Sequence, residues 1–158
     1  MSMEQIITTV RGFDGALVVV PGPGGDSPEI AWGDAFFYYA PDGHDAPDGR
    51  MPRNTQPYGT IVTKDYPDDT ASRLDPPGRW RVNVQVGRAE LPGLVGLPGP
   101  VGTEHDLAAA DVLLPHPVYG DLGWICVVNP GERTTETVVR LLKEAHEAAR
   151  ARAERRRA

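Results

Sequence analysis

Residues 113–131, LLPHPVYGDLGWICVVNPG, place His116, Tyr119 and Trp124 within nine positions, between prolines and glycines and just ahead of an apolar run. A loop imidazole titrates near neutrality and can act as a general base, and Tyr119 could orient it or donate a proton. Pro115 and Pro117 restrict the backbone on both sides, so the ring is held in a narrow range of orientations. The same rigidity suits a structural turn in which the imidazole hydrogen-bonds to backbone and fixes the start of the strand at Trp124. For catalysis the structural role is the expectation, with His116 and Tyr119 kept as rim residues of a binding pocket. Asp34, which follows Trp32-Gly33 at a strand bend, is the third catalytic candidate. It either supplies a carboxylate to a pocket or satisfies the exposed amides of the bend.

A second constellation lies on a strand. Trp80, Val82, Val84 and Val86 alternate with Arg79, Arg81, Asn83 and Gln85, so one face is apolar and the other polar. If the polar row faces water, Arg81 and Asn83 suit a carboxylate or phosphate ester, with Lys64 joining from the neighbouring strand. An ordinary solvated face is the alternative. Trp32, Phe36 and Tyr38 wall either a pocket or the core. The chain lacks a Gly-x-Ser-x-Gly nucleophile turn, and Cys126 lies in an apolar strand, where thiols are inert packing. Asp42, His44, Asp45 and Asp48 have ligand chemistry without calcium-loop or zinc spacing, so no metal is expected. Pro21–Gly25 is not a phosphate loop, because no Gly-Lys-Ser/Thr follows it, and no cofactor is expected.

The elements that must position these groups follow from local pattern. Ser2 with Gln5 forms a capping box, and Met3, Ile6, Ile7 and Val10 share one face of a helix ending at Gly12. Strands are expected at 17–20, 29–39, 60–64, 79–86 and 124–128, with short helical patches around 88–95 and 105–113. Thr134 is placed to cap a last helix whose stripe is Val138, Leu141, Leu142, Ala145, Ala148 and Ala149. Helices at both ends enclosing consecutive strands imply an α+β fold, an antiparallel sheet with both helices packed on one face. Residues 1–150 form a single domain in this reading, and 151–158 a basic helical tail that frays.

The 158 residues carry a net charge of −6, distributed unevenly. Residues 140–158 hold seven Arg/Lys against three Glu, a surplus of four, which leaves −10 on residues 1–139. An acidic body repels phosphates, which argues against nucleic acid as a partner. No run approaches the roughly 20 apolar residues of a membrane span, and the N-terminal residues lack a secretion pattern, so a cytoplasmic location is expected. The single cysteine fits a reducing compartment. Arginine in excess of lysine, with abundant Ala, Gly and Pro, points to a GC-rich bacterial genome.

The turn Ala31-Trp32-Gly33-Asp34 leading into Phe36–Tyr39, the strand Val82–Val86, and Trp124–Val128 followed by Pro130-Gly131 and a long helix resemble the MmcQ/YjbR-like superfamily. Pro115-His116-Pro117-Val118-Tyr119 falls where that family has a Tyr/His-containing loop before its tryptophan strand. The resemblance covers most of residues 1–150 and implies a small bacterial α+β protein of frataxin-like shape. The long acidic loop at 40–57 and the proline-rich segment 88–111 depart from its commoner members. Function is expected to be non-enzymatic binding, of a small anionic or aromatic ligand or of a protein partner. Acid–base catalysis through His116 is the alternative, and nucleic-acid binding the third.

Overall fold

The computed structural model describes residues 1–25, 27–41, 52, 55–99 and 106–157. Helix α1 (Met3–Arg11) is followed by strands β1 (Ala16–Val19), β2 (Ala35–Tyr39), β3 (Gly59–Val62), β4 (Arg81–Gln85), β5 (Leu114–Pro115) and β6 (Trp124–Val128), then by helix α2 (Thr135–Arg157). The strands form one sheet in the order β1-β2-β3-β4-β6-β5, with every pairing antiparallel. This is the α+β architecture expected from the pattern of elements.

Both helices lie on the same face. Ile6, Ile7 and Val10 of α1 and Val138, Leu141, Leu142 and Ala145 of α2 share one buried cluster with Phe37, Ile61, Val82, Val84, Ile125 and Val127. Strand alternation explains which sheet residues take part, since each belongs to the inward set of its strand. The close seat of α2 depends on Gly59, where a Cβ would lie 3.1 Å from both Leu142 Cδ2 and Phe37 Cδ2. The capping box of α1 forms as expected: Ser2 Oγ accepts from the Gln5 amide, and Gln5 Oε1 accepts from the Ser2 amide.

Several elements differ from the sequence expectation. The stretch 29–39 is a 3-10 turn (Glu29–Ala31), a bend at Trp32–Asp34 and only then β2. Trp32 therefore does not alternate with Phe36 and Tyr38. Those two lie on the far face from Phe37, in a small cluster with Leu17 and Val19. Residues 88–95 contain only the 3-10 turn Leu91–Gly93, and the described residues 106–113 form turns rather than a helix. β5, unforeseen, follows as the sheet's edge.

Thr134 precedes α2, but its hydroxyl donates to Asp111 instead of accepting from the first turn. Asp111, from the distant loop, caps the helix by accepting the amides of Gly131, Arg133 and Thr134. α2 remains helical through Arg157.

The main correction concerns β4. Its polar row does not face water: Arg81 and Asn83 are 1% and 2% exposed. The connection from β3 to β4 folds back over that face. Asp65 accepts the Leu74 amide, Asp75 accepts the Asp65 amide, and Tyr66 and Asp69 exchange backbone hydrogen bonds. Leu74 and Ser72 are buried beneath this cover. Lys64 lies beyond the end of β3 and does not join the row.

Candidate functional site

Arg81 is the centre of the buried polar network. Its Nε donates to Asn83 Oδ1 at 2.7 Å, and Nη1 donates to Asp69 Oδ1 and Ser72 Oγ at 3.0 and 2.9 Å. Nη2 donates to Asp69 Oδ2 and faces His116 Nε2 at 3.1 Å. Asn83 passes the chain on, donating to Thr60 Oγ1 at 2.8 Å. All five guanidinium N–H groups are thus directed at protein atoms, and the anion that Arg81 holds in bidentate fashion is the chain's own Asp69. Burial alone would raise the Asp69 carboxyl, but its hydrogen bonds to Arg81, that charge and the nearby His116 hold it below the usual carboxylate range.

His116 is 6% exposed and has donors on both sides. Nδ1 accepts the amides of Val118 and Tyr119 at 3.1 and 3.0 Å, closing the turn, while the guanidinium lies against Nε2. With Nδ1 accepting these amides the neutral ring carries its proton on Nε2, and a second proton, on Nδ1, would set N–H against N–H. Burial, and then the Arg81 charge, push the ring down to about 4, against a smaller upward pull from Asp69. A ring that stays neutral and has no free nitrogen is poorly built for proton transfer near pH 7. Its backbone amide donates to Trp124 O, a bond open to any non-proline residue there, while the imidazole itself bonds to the turn at Val118 and Tyr119 and not to β6.

Tyr119 packs against His116 in a tilted arrangement, with ring centroids 4.9 Å apart and planes at 37°, and is 48% exposed. Asp34 belongs to a different cluster. Completely buried, it accepts the Thr63 amide and hydroxyl at 2.9 and 2.7 Å, Lys64 Nζ at 2.9 Å and the Tyr66 hydroxyl. Burial, and then this bond and the Asp34 charge, raise the Tyr66 phenol, so it remains a donor. Asp34 therefore satisfies the segment after β3 and not the amides of its own bend. Lys64 also donates to Trp32 O at 3.0 Å, tying both residues to this cluster. Among the described residues, the Trp32 indole nitrogen is the buried side-chain donor left without a partner.

The structure thus brings Arg81, Asn83, His116 and Tyr119 together, and Asp34, Lys64 and Trp32 together. The turn from Tyr66 to Asp69 links the two groups. Pattern reasoning missed Asp69, Ser72 and Tyr66, whose signal was the density of turn formers in Asp65–Pro77 between two strands. It also missed His146. That ring is 2% exposed, receives the Tyr58 hydroxyl at Nδ1 (2.9 Å) and donates from Nε2 to Asp14 O (2.7 Å). Phe13, Tyr39 and Tyr58 surround it, locking α2 to the sheet.

Asp42, His44, Asp45 and Asp48 lie outside the described residues. Among the described residues, no three His, Cys, Asp or Glu side chains converge as a metal site. No helix there is long and apolar enough to cross a membrane.

These features define an α+β protein whose polar face is closed by its own connecting segment and whose β5–β6 turn stands exposed beside a buried histidine. The chain belongs to DUF6194, a family of unknown function, which it matches over residues 1–158. No curated protein and no solved structure matches it.

Proposed function

We propose that this DUF6194 member is a non-enzymatic binding module that docks a protein partner through the turn at residues 118–122. The observation that carries this reading is the clustering of exposed apolar side chains. Val118, Tyr119 and Leu122 are 39%, 48% and 53% exposed within five positions, whereas Met1, Val20 and Ile30 are scattered. Aromatic and aliphatic anchors of this kind form the centres of protein interfaces. The turn is also held in one shape by His116 beneath it and by Gly123, whose positive φ of 88° and contact with the Gly87 backbone exclude a side chain. A preordered loop loses less conformational entropy on binding.

The alternatives draw less support. Acid–base catalysis at His116 needs a nitrogen able to take a proton, and both face donors. A small anion at Arg81 must displace Asp69. Nucleic acid meets a body of net negative charge. The order of helix, antiparallel strands and long C-terminal helix supports a relation to the MmcQ/YjbR-like superfamily, and with it a bacterial, cytoplasmic protein.

The test is a photo-crosslinking residue at position 122, with exposed Glu132 as the control position, in the cells that produce the protein. One dominant adduct at 122, lost when Tyr119→Ser is added, is expected. Equal labelling at both positions, or an adduct indifferent to Tyr119→Ser, overturns the reading.

A further inference from the structure

The C-terminal half of α2 poses a separate problem. From Arg150 to Arg156 none of its residues is buried, and among the described residues its ion-pair contact with the body is a 3.9 Å approach of Arg150 Nη1 to Asp14 Oδ2. Helical segments this short are marginal in water unless one face is packed. Beside the packed half of the same helix runs a groove of about 190 Å³, floored by Leu94, Leu141, Ala145 and Ala148 and flanked by Glu90, Glu144 and Arg140. Neither carboxylate has an ion-pair partner among the described residues.

We infer that the groove receives the arginine-rich end of α2 from a second copy of this chain, the two helices lying antiparallel across a two-fold axis near Ala148. Residues 141, 145, 148, 152 and 155 recur at alternating spacings of four and three, so they form one stripe along the helix. With Ala148 on the axis, Arg152 stands opposite Glu144 of the other copy. Arg155 stands opposite Leu141, which lines the same groove as Glu90. Ala148, small and exposed, lets the helix axes approach toward the ~8 Å end of the usual packing range. The aliphatic stems of Arg152 and Arg155 cover the apolar floor while their guanidinium groups reach the carboxylates.

The attraction in this pairing is local, Arg152 to Glu144 and Arg155 to Glu90, because the two facing segments are themselves alike in carrying a surplus of four positive charges over residues 140–158. The register sets Arg140, which also lines the groove, against Arg156; both side chains are exposed, so water screens their repulsion. A two-fold interface forms both contacts twice, as closed dimers require.

Sedimentation velocity on the full chain tests this directly. A dimer at low salt that weakens about tenfold or more at high salt is expected, since the contacts joining the copies are charged. Arg152→Glu with Arg155→Glu yields a monomer, as does Glu90→Arg with Glu144→Arg. Combining all four substitutions restores the dimer. Independently, Ala148→Cys forms an intermolecular disulfide on mild oxidation, whereas Lys143→Cys, on the opposite side of the helix, does not. The native Cys126 does not compete, being buried with its thiol pushed up to about 12. A monomer at low salt, a dimer insensitive to the charge reversals, or equal crosslinking at both positions overturns the inference.

Discussion

At the scale of single residues, the buried charge network makes its own demands on pH. The His116 ring is held at about 4 in the fold, below the ordinary value of 6.5. The unfolded chain therefore binds a proton more readily, and stability present above pH 6.5 declines as pH falls toward 4. Asp69, held below its ordinary value of 3.8, adds a further loss below that point. Chemical denaturation followed from pH 7 to pH 4 should show this decline, flattened in His116→Asn. The asparagine side-chain oxygen can still accept the amides of Val118 and Tyr119, so the variant should fold and keep its turn. A pH profile in the variant identical to the wild type would remove His116 as the source.

Arg81 is the second residue-scale case. Its truncation leaves Asp69 without its cation and Asn83 and Ser72 without their bonds, so Arg81→Ala should cost on the order of 3–5 kcal/mol. Arg81→Met with Asp69→Leu, which removes both charges together, should be substantially milder. Equal losses in urea titrations would show that the pair contributes nothing as a pair.

At the scale of elements, what could be read from the sequence was what is local. The Ser2–Gln5 box and the Val82/Val84 alternation declare themselves within one turn or one strand, and both stand in the fold. Alternation established that Arg81 and Asn83 share a face but not what covers it. The cover is an irregular segment held by side-chain-to-backbone bonds such as Asp65 to Leu74, which has no period to detect. β5 escaped for the opposite reason, since a two-residue edge strand containing proline is too short to carry a pattern. The candidate site was legible in its members His116, Tyr119, Arg81 and Asn83, and illegible in Asp69, the residue that closes it.

The cap of α2 belongs to this scale too. Burial opposes ionisation of Asp111, but the Thr134 hydroxyl and three amides hold its carboxyl below the usual range. Asp111→Ala should cost about 1–2 kcal/mol, the upper part of the range for a lost helix cap. It should raise amide exchange first at residues 131–138, and uniform exchange across α2 would contradict the assignment.

At the scale of the whole molecule, the packed core and the basic end of α2 are separable. The sheet, α1 and the first half of α2 share one apolar cluster that ends at Ala145, with Ala149 partly packed against it. Residues 152–156 contribute no buried side chain. Removing residues 152–158 should therefore leave the melting temperature of dilute protein nearly unchanged, because stability follows buried area and the truncation exposes almost none. At high protein concentration the two forms should diverge. A self-associating chain gains apparent stability by mass action, so its melting temperature rises with concentration. Without Arg152 and Arg155 the truncated chain should show no such rise. Melting curves over a wide dilution series, run at low and high salt, separate the two contributions. A large fall in the dilute limit would mean that the tail packs on its own body, and parallel concentration dependence in both forms would place self-association on another surface.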